Sequence, residues 1–71
     1  MLNERVKSLR IKNKLSQEEL AGLAGIHQST VSKIERGNRK VDAEEIIKIA
    51  GALGVMPSAL LDDPQQMLGK E

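Results

Sequence analysis

Gln28, Ser29, Ser32, Lys33 and Arg36 all fall within one short stretch, QSTVSKIERGNRK. On a helix that starts at Gln28, with about 100° per residue, Ser32 lies at about 40°, Arg36 at about 80°, Ser29 at about 100° and Lys33 at about 140°. Val31 and Ile34 lie opposite, at about 300° and 240°. One face is polar throughout and the other is a narrow apolar keel. Such side chains have the chemistry to read base edges in a major groove. Glutamine pairs with adenine through two hydrogen bonds, and lysine or arginine donates to guanine. An ordinary amphipathic helix with a solvated face carries the same pattern, and this helix alone does not separate the two.

The elements that must hold this helix are also helical, with no convincing strand. Leu2, Val6 and Leu9 open a first helix, expected to end near Lys14, with Asn3 as its N-cap. LSQEELAGLAG follows. Ser16 is a cap with Glu19 at the capping-box spacing, and Glu18 and Glu19 suit the positive end of the helix. Leu20, Ala21, Leu23 and Ala24 are its expected apolar side, and Gly25 its stop. Gly37 ends the polar helix and hands the chain to a basic loop, Asn38 to Val41. Asp42 and Glu45 repeat the capping box for a fourth helix, whose buried stripe is Ile46, Ile49, Ala50 and Leu53 and whose stop is Gly54. PSALL fits a fifth short helix starting at Pro57, with Met56 in the cap position and Asp62, Asp63 and Pro64 at its end. The reading is an all-α bundle of about five short helices, one domain over 1–63 with a short tail over 64–71.

Composition narrows the function. The chain has 71 residues, 39% of them hydrophobic, and lacks cysteine, phenylalanine, tyrosine and tryptophan. Disulfide frameworks and thiolate metal sites are excluded. The core must be aliphatic, which makes a marginally stable monomer or help from a partner subunit a fair expectation. No apolar run approaches the about 20 residues of a membrane span, which fits a cytoplasmic protein. The formal net charge is only +1, yet its distribution is uneven. Arg5, Lys7, Arg10, Lys12 and Lys14 face Glu4 alone in the first segment, and Lys33, Arg36, Arg39 and Lys40 face Glu35 later. A near-neutral average therefore hides a basic face. Enzymatic chemistry is not indicated. The carboxylates cluster at helix starts, His27 has no second histidine or cysteine to complete a site, and no phosphate-cradling glycine loop occurs. No cofactor or metal is implied.

Counting from Gln17, Ala21 is fifth, Gly25 ninth, Val31 fifteenth and Ile34 eighteenth. A small residue where two helices cross, a glycine in the turn and two apolar pins on the second helix make a helix-turn-helix unit. LSQEELAGLAGIHQSTVSKIERGNRK, followed by LGV and SALL, resembles the Cro and phage-repressor type of helix-turn-helix regulator over about Val6 to Leu61. The resemblance implies a lambda-repressor-like bundle that binds double-stranded operator DNA, as a homodimer, with its third helix in the major groove. It implies base reading by Gln28, Ser29, Ser32 and Lys33. It implies contacts to the DNA backbone from Gln17, His27, Arg36, Asn38, Arg39 and Lys40, the first of them at a helix N-terminus that suits an anion. It also implies a buried salt bridge between Arg10 and Glu35, whose wheel positions face the core.

The expected dimer surface is Val55, Met56, Ala59 and Leu60, with core packing the alternative for Val55 and Leu60. Ala59 stands where the family often has an aromatic residue, and Ile11 falls off the core face of the first helix. A transcriptional repressor of bacterial or phage nucleoid DNA is the first functional expectation. The second is an antitoxin or other protein-interaction module on the same fold, whose partner would be a toxin or another factor.

Overall fold

A computed structural model describes residues 2–61. Four α-helices, α1 (Leu2–Lys12), α2 (Gln17–Ala24), α3 (Gln28–Glu35) and α4 (Ala43–Leu53), are followed by one 3-10 turn, Pro57–Leu60. The expected fifth α-helix is thus a single tighter turn. Pro57 supplies the fixed φ that starts it, and Met56 at its cap makes no side-chain cap bond. Its expected end at Asp62, Asp63 and Pro64, and the tail, lie outside the described residues.

Local sequence explains where α2 and α4 begin. Ser16 accepts from the backbone N–H of Glu19, and Glu19 accepts from the backbone N–H of Ser16 at 2.8 Å. Asp42 and Glu45 exchange the same pair of bonds ahead of α4. Each box satisfies two backbone donors that a helix start leaves over.

The helices end alike. After α2 the N–H of Ile26 reaches the carbonyl of Ala21 at 3.0 Å, and that of Gly25 reaches Gly22 at 3.3 Å, with Gly25 at φ 72°. The same paired bonds close α3 at Gly37 and Asn38. This end geometry needs a left-handed residue, which glycine adopts without steric cost. The first helix closes in this way too, but its left-handed residue is Lys14, at φ 60°. Leu15 N–H then bonds the Arg10 carbonyl at 3.0 Å. Helix α1 therefore stops at Lys12, earlier than expected, and begins at Leu2, so Asn3 is a residue of its first turn and not its cap.

One aliphatic core joins these pieces. Val6, Leu20, Val31, Ile34, Ile49 and Leu60 are its largest fully buried side chains. Burying each contributes about 1.5–3 kcal/mol relative to exposure. Ala21, Ala24 and Ala50 are buried where helices cross, and α2 packs on both α3 and α4. Leu23 does not join this side. It is 64% exposed, because on an eight-residue helix packed against two neighbours the arc holding Leu20, Ala21 and Ala24 leaves Leu23 beyond its edge. Ile11 is likewise exposed.

Candidate nucleic-acid interface

Helix α3 is held by its keel. Val31 and Ile34 are fully buried, whereas Gln28, Ser29 and Lys33 are exposed and Ser32 is half-buried. The four residues named for base reading thus share a polar surface with a single buried backing. His27 is the N-cap of α3, exposed, and makes no side-chain cap bond. Arg36, at the other end, folds back along the helix. Its Nη1 donates to Ser32 Oγ at 2.5 Å. The Ser32 oxygen is thereby occupied as an acceptor, and its own proton remains to be donated outward. This bond carries Arg36 onto the face of α3 and away from the following loop. The four-residue spacing that permits it is visible in the sequence.

Asn38, Arg39 and Lys40 form an exposed rim beyond Gly37. Arg39 is not free within it. Its Nη1 meets Glu45 Oε2 at 3.0 Å, tying the rim to the first turn of α4. The rim also lies against the start of α1. A Cβ placed on Gly37 would come within 3.3 Å of Asn3 Nδ2. No spacing rule connects Arg39 to Glu45 or Gly37 to Asn3. Both contacts arise only once the helices pack.

Gln17 opens α2 on the same side as the end of α3. Its Nε2 donates to Glu35 Oε1 at 3.2 Å. Glu35 is also the anion of the ion pair beneath the unit. Arg10 donates from Nε to Oε2 at 2.6 Å and from Nη2 to Oε1 at 3.0 Å. The side chains are 13% and 3% exposed for Arg10 and Glu35. Arg10 Nη1 also donates to the Leu15 carbonyl at 2.8 Å. The Glu35 hydrogen bond, opposed by burial and aided by the carboxylate charge, raises the guanidinium pKa above its ordinary value. Arg10 therefore stays charged at any usable pH.

Of the residues named for a dimer surface, Leu60 is fully buried in the core and is withdrawn. The 3-10 turn points it inward, between α1 and α4. Val55 is half-buried against the same core. Met56 is 71% exposed and Ala59 is exposed beside it.

A short helix pinned across another, its polar side outward and a basic rim at its end, defines a helix-turn-helix protein. The helix-turn-helix family pattern matches residues 6–60, and the chain belongs to that family. It is 43% identical over 63 residues to control protein C.BamHI of Bacillus amyloliquefaciens, covering 87% of this chain and 78% of the relative. The crystal structure of the restriction-modification controller protein C.AhdI from Aeromonas hydrophila superposes with a TM-score of 0.83 at 42% identity, over 84% of this chain and 91% of that one. The P22 c2 repressor protein, solved in complex with a synthetic operator, matches with a TM-score of 0.81 at 27% identity, over 87% and 94% of the two chains. Among the described residues no helix is long and apolar enough to cross a membrane.

Proposed function

We propose that this chain is a sequence-specific regulator of transcription that binds double-stranded operator DNA as a homodimer, with α3 in the major groove. The observation that carries this reading is the division of α3. Val31 and Ile34 are fully buried while Gln28, Ser29 and Lys33 stand exposed together. A major groove admits one helix, and these side chains carry donors and acceptors suited to base edges. Asn38, Arg39, Lys40, His27 and Gln17 flank that face, and the phosphates flank the groove in the same way. Arg36 belongs with them as a charge, although its bond to Ser32 brings it nearer the bases.

Dimerisation follows from reach. One short helix reads only a few base pairs, and specific operators are distinguished by doubling the half-site about one turn apart. Met56 and Ala59, with the exposed edge of Val55, are the surface for it. A dimer seated on a promoter excludes polymerase, so repression is the action assigned. The similarity to the restriction-modification controller protein C.AhdI supports control of a restriction-modification system as the setting. The place of action is the cytoplasm, at the nucleoid, and no enzymatic step is involved.

Selection of bound duplexes from a random pool at near-physiological salt tests this. A two-fold symmetric motif with half-sites about one turn apart is the expected product. Weak binding that enriches no sequence and vanishes as salt rises would overturn it.

A further inference from the structure

Glu35 accepts more than its ion pair requires. Its Oε1 takes one hydrogen bond from Arg10 Nη2 at 3.0 Å and another from Gln17 Nε2 at 3.2 Å. Gln17 is the first residue of α2 and is half-buried. A glutamine at such a place ordinarily samples several rotamers, and ordering it has an entropic cost. Here one amide N–H is committed inward to a buried carboxylate, which fixes the amide and leaves its second N–H directed elsewhere. Beside it lie the backbone N–H groups of Gln17 and Glu18, for which α2 itself has no acceptors. The Ser16 hydroxyl accepts from the backbone N–H of Glu19.

The guanidinium of Arg10 fixes this group of donors from a second direction. Its Nη1 holds the Leu15 carbonyl at 2.8 Å, next to the capping serine. One cation thus sets the segment entering α2, and through Glu35 it sets both the Gln17 amide and the last turn of α3. We infer that Arg10 and Glu35 are positioning residues for the DNA-backbone contact of Gln17, fixing its amide before DNA arrives. Neither touches DNA. The inference rests on the DNA-binding reading above. It assigns the buried pair a functional role in addition to its structural one, because a contact held in advance loses less freedom on binding.

The test compares four proteins on the selected operator: wild type, Gln17→Ala, the double variant Arg10→Met/Glu35→Met, and the triple variant. Replacing both charges with apolar side chains of similar volume strands neither of them, so the double variant is expected to fold. Gln17→Ala is expected to weaken binding about tenfold in the wild-type background, the scale of one charge-assisted hydrogen bond, and less than about twofold in the double-variant background. Base preference should stay the same in all four. Equal losses in the two backgrounds overturn the inference, since a merely structural ion pair leaves the Gln17 contribution unchanged. Should the double variant fail to fold, side-chain amide relaxation of the DNA-free wild type decides. A Gln17 amide restricted on the fast timescale is expected, and one that averages freely overturns the inference. A wild type that selects no operator overturns the DNA-binding reading and this inference with it, which a lost coupling on a real operator does not.

Discussion

Arg39 Nη1 donates to Glu45 Oε2 at 3.0 Å, while Oε1 of the same carboxylate accepts from the backbone N–H of Asp42. A single acid thus caps α4 and holds the basic rim that follows α3. The Arg39 side chain is 34% exposed and that of Glu45 17%, so water screens the Arg39 end of the pair and its worth is on the order of 1 kcal/mol. A phosphate can therefore draw Arg39 from Glu45 at small cost. Arg39→Ala should weaken binding to operator and to scrambled duplex by the same factor. It should also flatten the slope of log affinity against log salt by about 0.9, one phosphate's worth. Titrations over a salt series on both duplexes check this. A loss confined to the operator would make Arg39 a base reader.

Lys33 contrasts with Arg39. It is exposed on α3 next to Ser29 at the edge of the polar face, with Val31 and Ile34 buried beneath the helix. The base-reading role proposed for Lys33 has it donate to guanine in the groove. Lys33→Ala should change which base is preferred at one position of each half-site, with about 1–3 kcal/mol of discrimination lost there. Affinities for a panel of single-base operator variants provide the measurement. A uniform loss across the panel would move Lys33 to the phosphates.

The Arg10–Glu35 pair bears on stability as well. Glu35→Gln leaves the Arg10 guanidinium buried without its anion, at about 3–5 kcal/mol of folding free energy. That is a large share of what so small a domain has. Urea unfolding should show the midpoint fall with little change in slope. An unchanged midpoint would mean that water reaches Arg10 well enough to replace Glu35.

Legibility in the sequence followed the range of each interaction. Helices α2 and α4 were readable to the residue because each capping box is written within four positions, Ser16 to Glu19 and Asp42 to Glu45. Helix α3 was readable because its stop is Gly37 and its keel, Val31 and Ile34, has helical spacing. The first helix ends with the same paired bonds, but on Lys14, a residue type that gives no such signal. Leu23 lies outside the core although its spacing suggests the apolar side, because a wheel gives direction without the width of the buried arc. The partners of Arg39 and Gln17 were invisible, since both bonds join elements that meet only after packing. At the dimer surface the sequence leaves core packing open for Val55 and Leu60, and only the packed turn resolves it, with Leu60 buried and Met56 exposed.

Lys14 offers a stabilising change. A side chain at φ 60° sits in the left-handed region, which costs about 1–2 kcal/mol for an ordinary L-residue. Lys14→Gly removes that strain, although glycine also gains freedom in the unfolded chain. A net gain of about 0.5–1 kcal/mol in thermal or urea unfolding is expected, with α1 still ending at Lys12. A loss of stability would show that Lys14 contributes more through its charge near the helix end than it costs in strain.

Met56 and Leu60 separate assembly from folding. They lie four residues apart, yet one is 71% exposed and the other fully buried. An exposed methionine next to Ala59 gives a monomer no packing, so its replacement by a charge should leave the fold alone. Met56→Glu is therefore expected to keep the unfolding midpoint of the isolated protomer while weakening the dimer at least about tenfold, since two like charges would meet across the two-fold axis. Leu60→Ala should do the reverse. It opens a cavity in the core at about 2–5 kcal/mol and impairs dimerisation only as the fold fails. Sedimentation equilibrium over a concentration series, paired with urea unfolding of both variants, makes the distinction. If Met56→Glu leaves the association constant unchanged, the dimer is built on another surface, and the exposed Ile47 on α4 becomes the next residue to replace.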